Sequence, residues 1–399
     1  MSEKTAAAPR ARKRSPLFAL WLVPAVPLAI AALCWLLLTV HPETGSVTVS
    51  GRRSGVFDVS APMERIFTGS EAEALQALTT AGDGETPLPV IRKVYTIPED
   101  ALTAPQPDPA RFGETDDPAV VQAVVESAAE LLDGQELCWS PDIERMEGTL
   151  IKYYCDETIL VICWKEGIGH YAASFMEIKL ADGSQIRRAL SGGSYGSSVH
   201  TRASDMARSV NAVAAINGDF YDYRRLGITV YQRKVYRVEP ARVESAFFTA
   251  SGDMIFSHMG ELAGEGEAQR FVDENDVVFG IAFGPILVEN GELRQVPDYP
   301  VGEPNAQYSR SVIAQKDTLH YLLMTLGQEG RYTHRTTVNE TAQIILARGV
   351  RNAYTLDGGQ TATLVFHGAT FNRVDWDNER TMSDIIYFAT AIPEEEWQT

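Results

Sequence analysis

The sequence predicts a mixed α+β domain, rich in strands and poor in helices, preceded by an N-terminal transmembrane helix and a stalk. Three observations lead there. From about Leu150 onward, short β-branched or aromatic runs follow one another, separated by turn residues such as ADG, SGD and ENG. Only two helical patterns interrupt them. Near the start, Leu17 to Val40 run almost without a polar atom behind a cationic block, RARKR, at residues 10–14. The 399 residues are 45% hydrophobic, which excludes a disordered, collagen-like or disulfide-scaffold chain and allows one large domain or two modest ones.

Residues 1–16 read as a basic cytoplasmic tail and 17–40 as the membrane-spanning helix. At ~1.5 Å rise per residue such a run is ample for a hydrocarbon layer of about 30 Å, and membrane helices tolerate prolines such as Pro24 and Pro27. A cleavable signal peptide has a shorter apolar core and a small-residue exit, which Thr39-Val40-His41-Pro42 does not supply. A buried core helix would not follow a cationic block. The positive-inside rule leaves the N-terminus in the cytoplasm and exports everything after His41, so the chain is expected as a single-pass protein of the plasma membrane.

Residues 41–149 read as a stalk carrying short helices. Ser70 and Glu73 form a capping box for EAEALQAL, the proline-rich and acidic stretch 98–118 reads as an extended linker, and Ala119–Leu132 is helical in pattern. Residues 150–391 form the main domain and 392–399 a C-terminal tail. The strand-like runs are TILVICW, HYAASFMEIKL, AVAAI, GITVYQRKVYRV, SAFFTA, VVFGIAF, RSVIAQ, HYLLMTL and AYTL. The two helices lie near Ala203–Ser209 and Val338–Arg348, the second opened by a Thr337–Glu340 capping box and closed by Gly349.

The formal net charge is −18, and the first 40 residues hold five basic side chains against one acid. The rest is therefore more acidic still. A surface of that sign repels phosphate backbones, so nucleic acid is excluded as a partner, and an anionic ligand needs a locally basic cleft. Of four cysteines, Cys34 lies in the membrane run. Among Cys138, Cys155 and Cys163, the pair Cys155–Cys163 is the first choice for a disulfide, with three reduced thiols as the alternative.

Two segments share one design. In residues 201–221 a short helix leads into AVAAI and then to Asn217-Gly218-Asp219; in residues 337–361 a helix leads through Gly349 to AYTL and then to Asp357-Gly358-Gly359. Each buried strand ends by presenting an acid beside glycine, where the backbone turns sharply and a ligand can approach main-chain N–H groups. If the two strands are neighbours, Asp219 and Asp357 face one pocket. Read separately, each segment is an ordinary turn before it is a site, and Glu340 is accounted for as a helix cap. The seven histidines make no metal-binding pattern, GGSYGSS at 192–198 lacks the lysine of a phosphate-binding loop, and no GxSxG elbow occurs.

The order NGDFY (217–221), FGPILVENGEL (283–293), YSRSVIAQ (308–315), LDGGQTATLVFHG (356–368) and ERTMSDIIYFA (379–389) resembles the phosphodiester glycosidase family, which includes the mammalian uncovering enzyme and bacterial exopolysaccharide-related members. The resemblance spans roughly residues 150–391. The family's usual Pro-Arg-Thr stands here as Ser309-Arg310-Ser311, and its third glycine and two serines as Gln360, Thr361 and Ala362.

The resemblance implies hydrolysis of a sugar-1-phosphodiester on the glycosidic side. An oxocarbenium-like transition state needs a carboxylate near the anomeric carbon, and the departing phosphodiester needs cations or N–H donors more than it needs a proton. On this reading Asp357 and Asp219 are the catalytic carboxylates, with Glu340 a further candidate. Arg310 clamps the phosphate bidentately. Gly358 and Gly359 give main-chain donors, Thr361 keeps a hydroxyl at the site, and Asn217 and Arg380 orient the substrate. No cofactor is implied, although Asp219 and Asp357 leave room for a divalent cation. The expected partner is a carbohydrate phosphodiester of cell-surface or exopolysaccharide metabolism. The alternative is a membrane-tethered binder that holds a surface glycan without turnover, and a purely structural wall component is a third.

Overall fold

The computed structural model describes residues 94–295 and 299–397, together with the backbone of two short strands, Ser46–Thr48 and Val56–Asp58. The chain divides into two units, Met1–Lys93 and Val94–Thr399. In the first, the two short strands pair antiparallel. The apolar run 17–40 and the helix expected after Ser70 lie outside the described residues. Among the described residues no helix is long and apolar enough to cross a membrane.

The second unit is strand-rich with few helices, as expected, and every strand pairing in it is antiparallel. A nine-stranded sheet runs in the spatial order Glu292–Leu293, Ile286–Glu289, Asn352–Leu356, Arg310–Asp317, His320–Gly327, Tyr171–Leu180, Ile159–Ile168, Ile151–Cys155 and Phe112–Thr115. One five-stranded sheet is ordered Ala369–Thr370, Leu364–Phe366, Ala214–Asn217, Asp384–Phe388 and Ile186–Leu190. The other is ordered Lys234–Glu239, Gly227–Tyr231, Val277–Ile281, Ser245–Thr249 and Met254–Ser257.

The central core fills the space between the three sheets. Val161, Met176 and Ile178 of the large sheet meet Ile216, Ile386 and Phe388 of one small sheet and Phe248, Phe279 and Ile281 of the other. The outer faces are closed by helices. Pro118–Ser127 and Val338–Leu346 cover the large sheet through Val121, Val338, Ala342 and Ile345 against Trp164, Phe175, Leu322 and Met324. Ala203–Ser209 covers one small sheet through Met206 and Ala207, and Glu265–Glu274 covers the other through Ala268 and Val272. Sheets buried on both faces explain why so many strand sequences read as continuous apolar runs rather than as alternating ones.

The expected helices at Ala203–Ser209 and after Thr337 are present, the latter with both arms of its capping box made and ending at Leu346. The helix expected over 119–132 breaks at Ala128 into two. Glu265–Glu274 is an additional helix that the strand-dominated reading missed; Gly264 and Gly266 bracket its acidic start and mask its periodicity. Residues 94–149 belong to the second unit rather than standing apart as stalk. Ile97, just before the proline-rich stretch, and Ala104 within it are buried, and Phe112–Thr115 adds the edge strand of the large sheet. No disulfide links the described cysteines. Cys163 faces the central core and Cys155 the helix-covered side, so the β pleat points the two thiols in opposite directions.

Candidate active site

The two acid-glycine corners come together, but from different sheets. Ala214–Asn217 belongs to a five-stranded sheet and Asn352–Leu356 to the nine-stranded one, and only their C-terminal ends converge. Asn217 makes the join. Its side chain is buried; Nδ2 donates to the Asp357 carbonyl at 2.9 Å, and Oδ1 accepts from Ser311 Oγ at 2.7 Å and from the Thr363 N–H at 3.2 Å. Asn217 thus positions the Asp357 corner and does not reach a ligand as the sequence reading proposed.

Beyond that join opens a cleft of about 510 Å³. Asp357, Gly358, Gly359 and Gln360 form one side, Arg310 and Tyr308 another, and Phe220, Tyr223, Arg224, Phe283, Trp376 and Arg380 complete the walls. Burial pushes the Asp357 carboxyl up to about 6, against the opposing pull of a Thr361 hydroxyl hydrogen bond and the Arg380 and Arg224 guanidinium groups. A carboxyl in that range is ionised at neutral pH and sits close to the proton-transfer window. Gly358 is required by packing: a Cβ there would lie 2.5 Å from the Ser309 carbonyl oxygen. The Gly359 N–H is already donated to that same carbonyl, so of the two expected main-chain donors only Gly358 is available.

Asp219 faces away from this cleft and is buried behind it. Its Oδ1 accepts from the Tyr221 N–H at 2.8 Å and from Arg188 Nη2 at 3.3 Å, and its Oδ2 accepts from the Ala282 N–H at 2.9 Å. Arg188, also buried, donates through Nε to Asp384 Oδ2 at 2.6 Å and through Nη1 to the carbonyls of Gly280 and Val230. Burial and the neighbouring Asp219 push the Asp384 carboxyl up while Arg188 holds it down. Gly218 must be glycine because any Cβ would collide with the Asp384 carboxylate. The expectation that Asp219 shares the pocket with Asp357 is therefore corrected: two acids bracket one buried guanidinium and lock the corner.

Arg310 lies against the cleft wall with most of its fork spent. Nε donates to Thr336 O at 3.1 Å, Nη1 to Gly302 O at 2.7 Å, and Nη2 to Glu303 O at 3.1 Å and Ala306 O at 2.5 Å. Desolvation lowers its pKa to about 10, which leaves it charged at neutral pH. With one N–H left it contributes positive charge but not the bidentate clamp expected of it. Glu340 is the helix cap: Oε2 accepts from the Thr337 N–H and Oγ1, and Oε1 from Tyr171 Oη, so it does not line the cleft. Thr361 is buried and supports Asp357 through its hydroxyl.

Sequence reasoning missed Arg188, Asp384 and Arg224, and also the aromatic walls. Alternation in the strand Ile186–Leu190 carried a signal, since Arg188 occupies an inward position between buried Ile186 and Leu190. Each cleft cation sits over a ring: Arg224 over Phe220 at 5.3 Å, Arg380 over Tyr223 at 5.4 Å and Arg310 over Tyr308 at 5.6 Å. Three guanidiniums against the Asp357 and Glu303 carboxylates make the cleft locally positive in a strongly acidic chain. Among the described residues no group of three or more His, Cys, Asp and Glu is placed to hold a metal ion.

A positive, aromatic-walled cleft with one carboxylate at a strand end fits a charged saccharide, and the sequence around it matches one family model over residues 210–389, a stretch containing all five ordered motifs. This stretch is a phosphodiester glycosidase domain. No curated protein matches the chain. Among solved structures, a hypothetical protein from Synechocystis is 15% identical with a TM-score of 0.46, the likeness covering 60% of this chain and 64% of that one. This chain thus spans just under two thirds of that protein's length. The catalytic domain of zebrafish N-acetylglucosamine-1-phosphodiester alpha-N-acetylglucosaminidase, auto-inhibited by its pro-peptide, is 15% identical with a TM-score of 0.46, over 65% of this chain and 92% of that one. A putative exported protein from Burkholderia pseudomallei is 12% identical with a TM-score of 0.38, over 55% and 74%. Likenesses at these scores carry no argument about chemistry; the phosphodiester glycosidase assignment rests on the family match and on the cleft itself.

Proposed function

We propose that this phosphodiester glycosidase domain hydrolyses a sugar-1-phosphodiester outside the cytoplasm, tethered to the plasma membrane through residues 17–40, in cell-surface or exopolysaccharide metabolism. The observation that carries the reading is Asp357, an acid raised to about 6 at the wall of a cleft where Arg224 and Arg380 supply positive charge.

The chemistry follows from that arrangement. Asp357 acts as nucleophile or as base toward water at the anomeric carbon. Arg224 and Arg380, with the remaining Arg310 N–H and the Gly358 N–H, take up the charge of the departing phosphodiester. A phosphate leaves with little need for protonation, so Asp357 suffices without a second acid to protonate the leaving group, as most glycosidases require. The spent Arg310 fork favours the second reading, a glycan binder without turnover.

Incubating the full-length chain with a panel of sugar-1-phosphodiesters and measuring released reducing sugar tests both readings. Turnover by the parent that collapses in Asp357→Asn, with binding retained, supports the enzyme; binding without turnover by the parent supports the binder. Protease protection in sealed vesicles tests the topology.

A further inference from the structure

One of the cations that act on Asp357 is carried by a short turn outside the sheets. Residues 220–225 read FYDYRR, and Tyr221, Asp222 and Tyr223 form the turn. Inside it the Tyr223 N–H donates to the Phe220 carbonyl at 2.9 Å. The turn divides its side chains between two directions. Phe220, Tyr223 and Arg224 line the cleft. Tyr221 is buried in the domain, and Asp222 lies 3.5 Å from His200.

The two ends of the turn are secured differently. At the buried end, Tyr195 of the GGSYGSS loop stacks on the Tyr221 ring at 4.9 Å, and Arg188 lies over that ring at 5.4 Å. At the cleft end, the main chain is held by Arg237. This residue stands in Lys234–Glu239, the outermost strand of its five-stranded sheet. Its Nη1 donates to the Tyr221 carbonyl at 2.8 Å and to the Arg224 carbonyl at 3.1 Å, so one nitrogen with two N–H groups spans the turn. Nε and Nη2 of Arg237 are buried and, among the described residues, have no hydrogen-bond partner. A guanidinium with donors buried and unfilled is costly to keep for stability alone. Arg237 does not itself line the cleft.

We propose that Arg237 is a positioning residue: by gripping both carbonyls of the turn it holds the Arg224 guanidinium where the phosphodiester sits, and it acts on the anion only through Arg224. The inference rests on the functional reading above, in which Arg224 takes up phosphodiester charge. The physical reason is geometric. A side chain at the end of a turn is placed no better than the turn itself, and a displacement of about 1 Å is enough to cost up to about a hundredfold at a reacting centre.

The test is a double-mutant cycle in the full-length chain: parent, Arg224→Met, Arg237→Met and the two together. Each is assayed on the panel of sugar-1-phosphodiesters, and affinity for the same diesters is read by calorimetry in an Asp357→Asn background. The cycle therefore reports whether the parent turns a diester over or only holds it. Arg237→Met is expected to weaken diester affinity and kcat/KM about tenfold, and Arg224→Met at least as much. The double variant falls no lower than Arg224→Met alone, because a positioning residue has no effect once the residue it positions is gone. Arg237→Lys, which keeps several N–H groups on one nitrogen, returns both quantities toward the parent. Arg233→Met, which removes a guanidinium of the same hairpin that pairs with Glu99 and Asp276, leaves both unchanged. Arg237→Gln carries the same cycle if Arg237→Met does not fold.

Equal losses from Arg237→Met with and without Arg224, as a general loosening of the fold would give, overturn this inference and leave the glycosidase reading standing. Parental affinity and turnover in Arg237→Met do the same. Parental behaviour of Arg224→Met also overturns it and leaves the phosphodiester to Arg380 and Arg310. Failure of every diester to bind or react overturns the functional reading and this inference together.

Discussion

Two corners of this molecule look alike in sequence and do opposite work. Asn217-Gly218-Asp219 and Asp357-Gly358-Gly359 each follow a helix and a buried strand, and each sets an acid beside glycine. At the first, the acid is buried with its oxygens filled by two main-chain N–H groups and Arg188. At the second, the acid lines a cleft, and its nearest cations are exposed and free to meet an anion. The difference lies in the location of the countercharge. A guanidinium delivered from inside by the Ile186–Leu190 strand turns one acid into a fastener, whereas guanidiniums delivered from surface loops leave the other acid lining an open cleft.

The largest effect that would break this comparison is on activity. Asp357→Asn is expected to lower kcat/KM by at least about 10³-fold in the reducing-sugar assay; a loss below tenfold would return the catalytic role to another residue. Arg188→Met leaves two buried carboxylates without their cation and should cost about 3–5 kcal/mol in chemical denaturation. Adding Asp219→Asn and Asp384→Asn should recover much of that loss, since the orphaned charges disappear. Asn217→Ala strips partners from the Ser311 hydroxyl, the Thr363 N–H and the Asp357 carbonyl, an expected destabilisation of about 3 kcal/mol, and it should reduce turnover by loosening Asp357.

Stability against pH sharpens the contrast. The Asp357 carboxyl is raised from its ordinary 3.8 to about 6, so folding favours its protonated form. Its contribution is most favourable below the unfolded value and is lost as pH climbs through the folded one. Asp357→Asn should therefore gain stability over the parent as pH rises from about 4 to about 6.5, reaching about 3 kcal/mol at neutral pH. The smallest effect concerns Arg380. Its positive charge pulls the Asp357 carboxyl down, so Arg380→Gln should move the acid limb of kcat/KM upward from about 6 by a few tenths of a unit, and Arg380→Lys should restore it. An unmoved limb would separate Arg380 from the acid.

Much of the fold was legible in the residues. Runs such as TILVICW and HYLLMTL became central strands because β-branched and aromatic side chains suit a sheet buried on both faces. The Thr337–Glu340 box opened its helix as read, because a cap is a contact between residues three apart. The site was legible in one half. Asp357, Gly358, Gly359 and Arg380 line the cleft, whereas Asp219 and Glu340 are occupied elsewhere and Arg310 has mostly spent its donors.

By itself the sequence determined local chemistry: which segments pair as strands, where helices cap, where only glycine fits, and the family to which the ordered motifs point. Only the tertiary structure decided which acid keeps a free face. That outcome depends on Arg188 arriving 31 residues before Asp219 and 196 before Asp384, and on Trp376 being carried to a rim built by Gln360 and Ser309. Countercharge acts through distance in space. Residues so far apart along the chain share an environment only after the sheets have packed and water has been expelled between them.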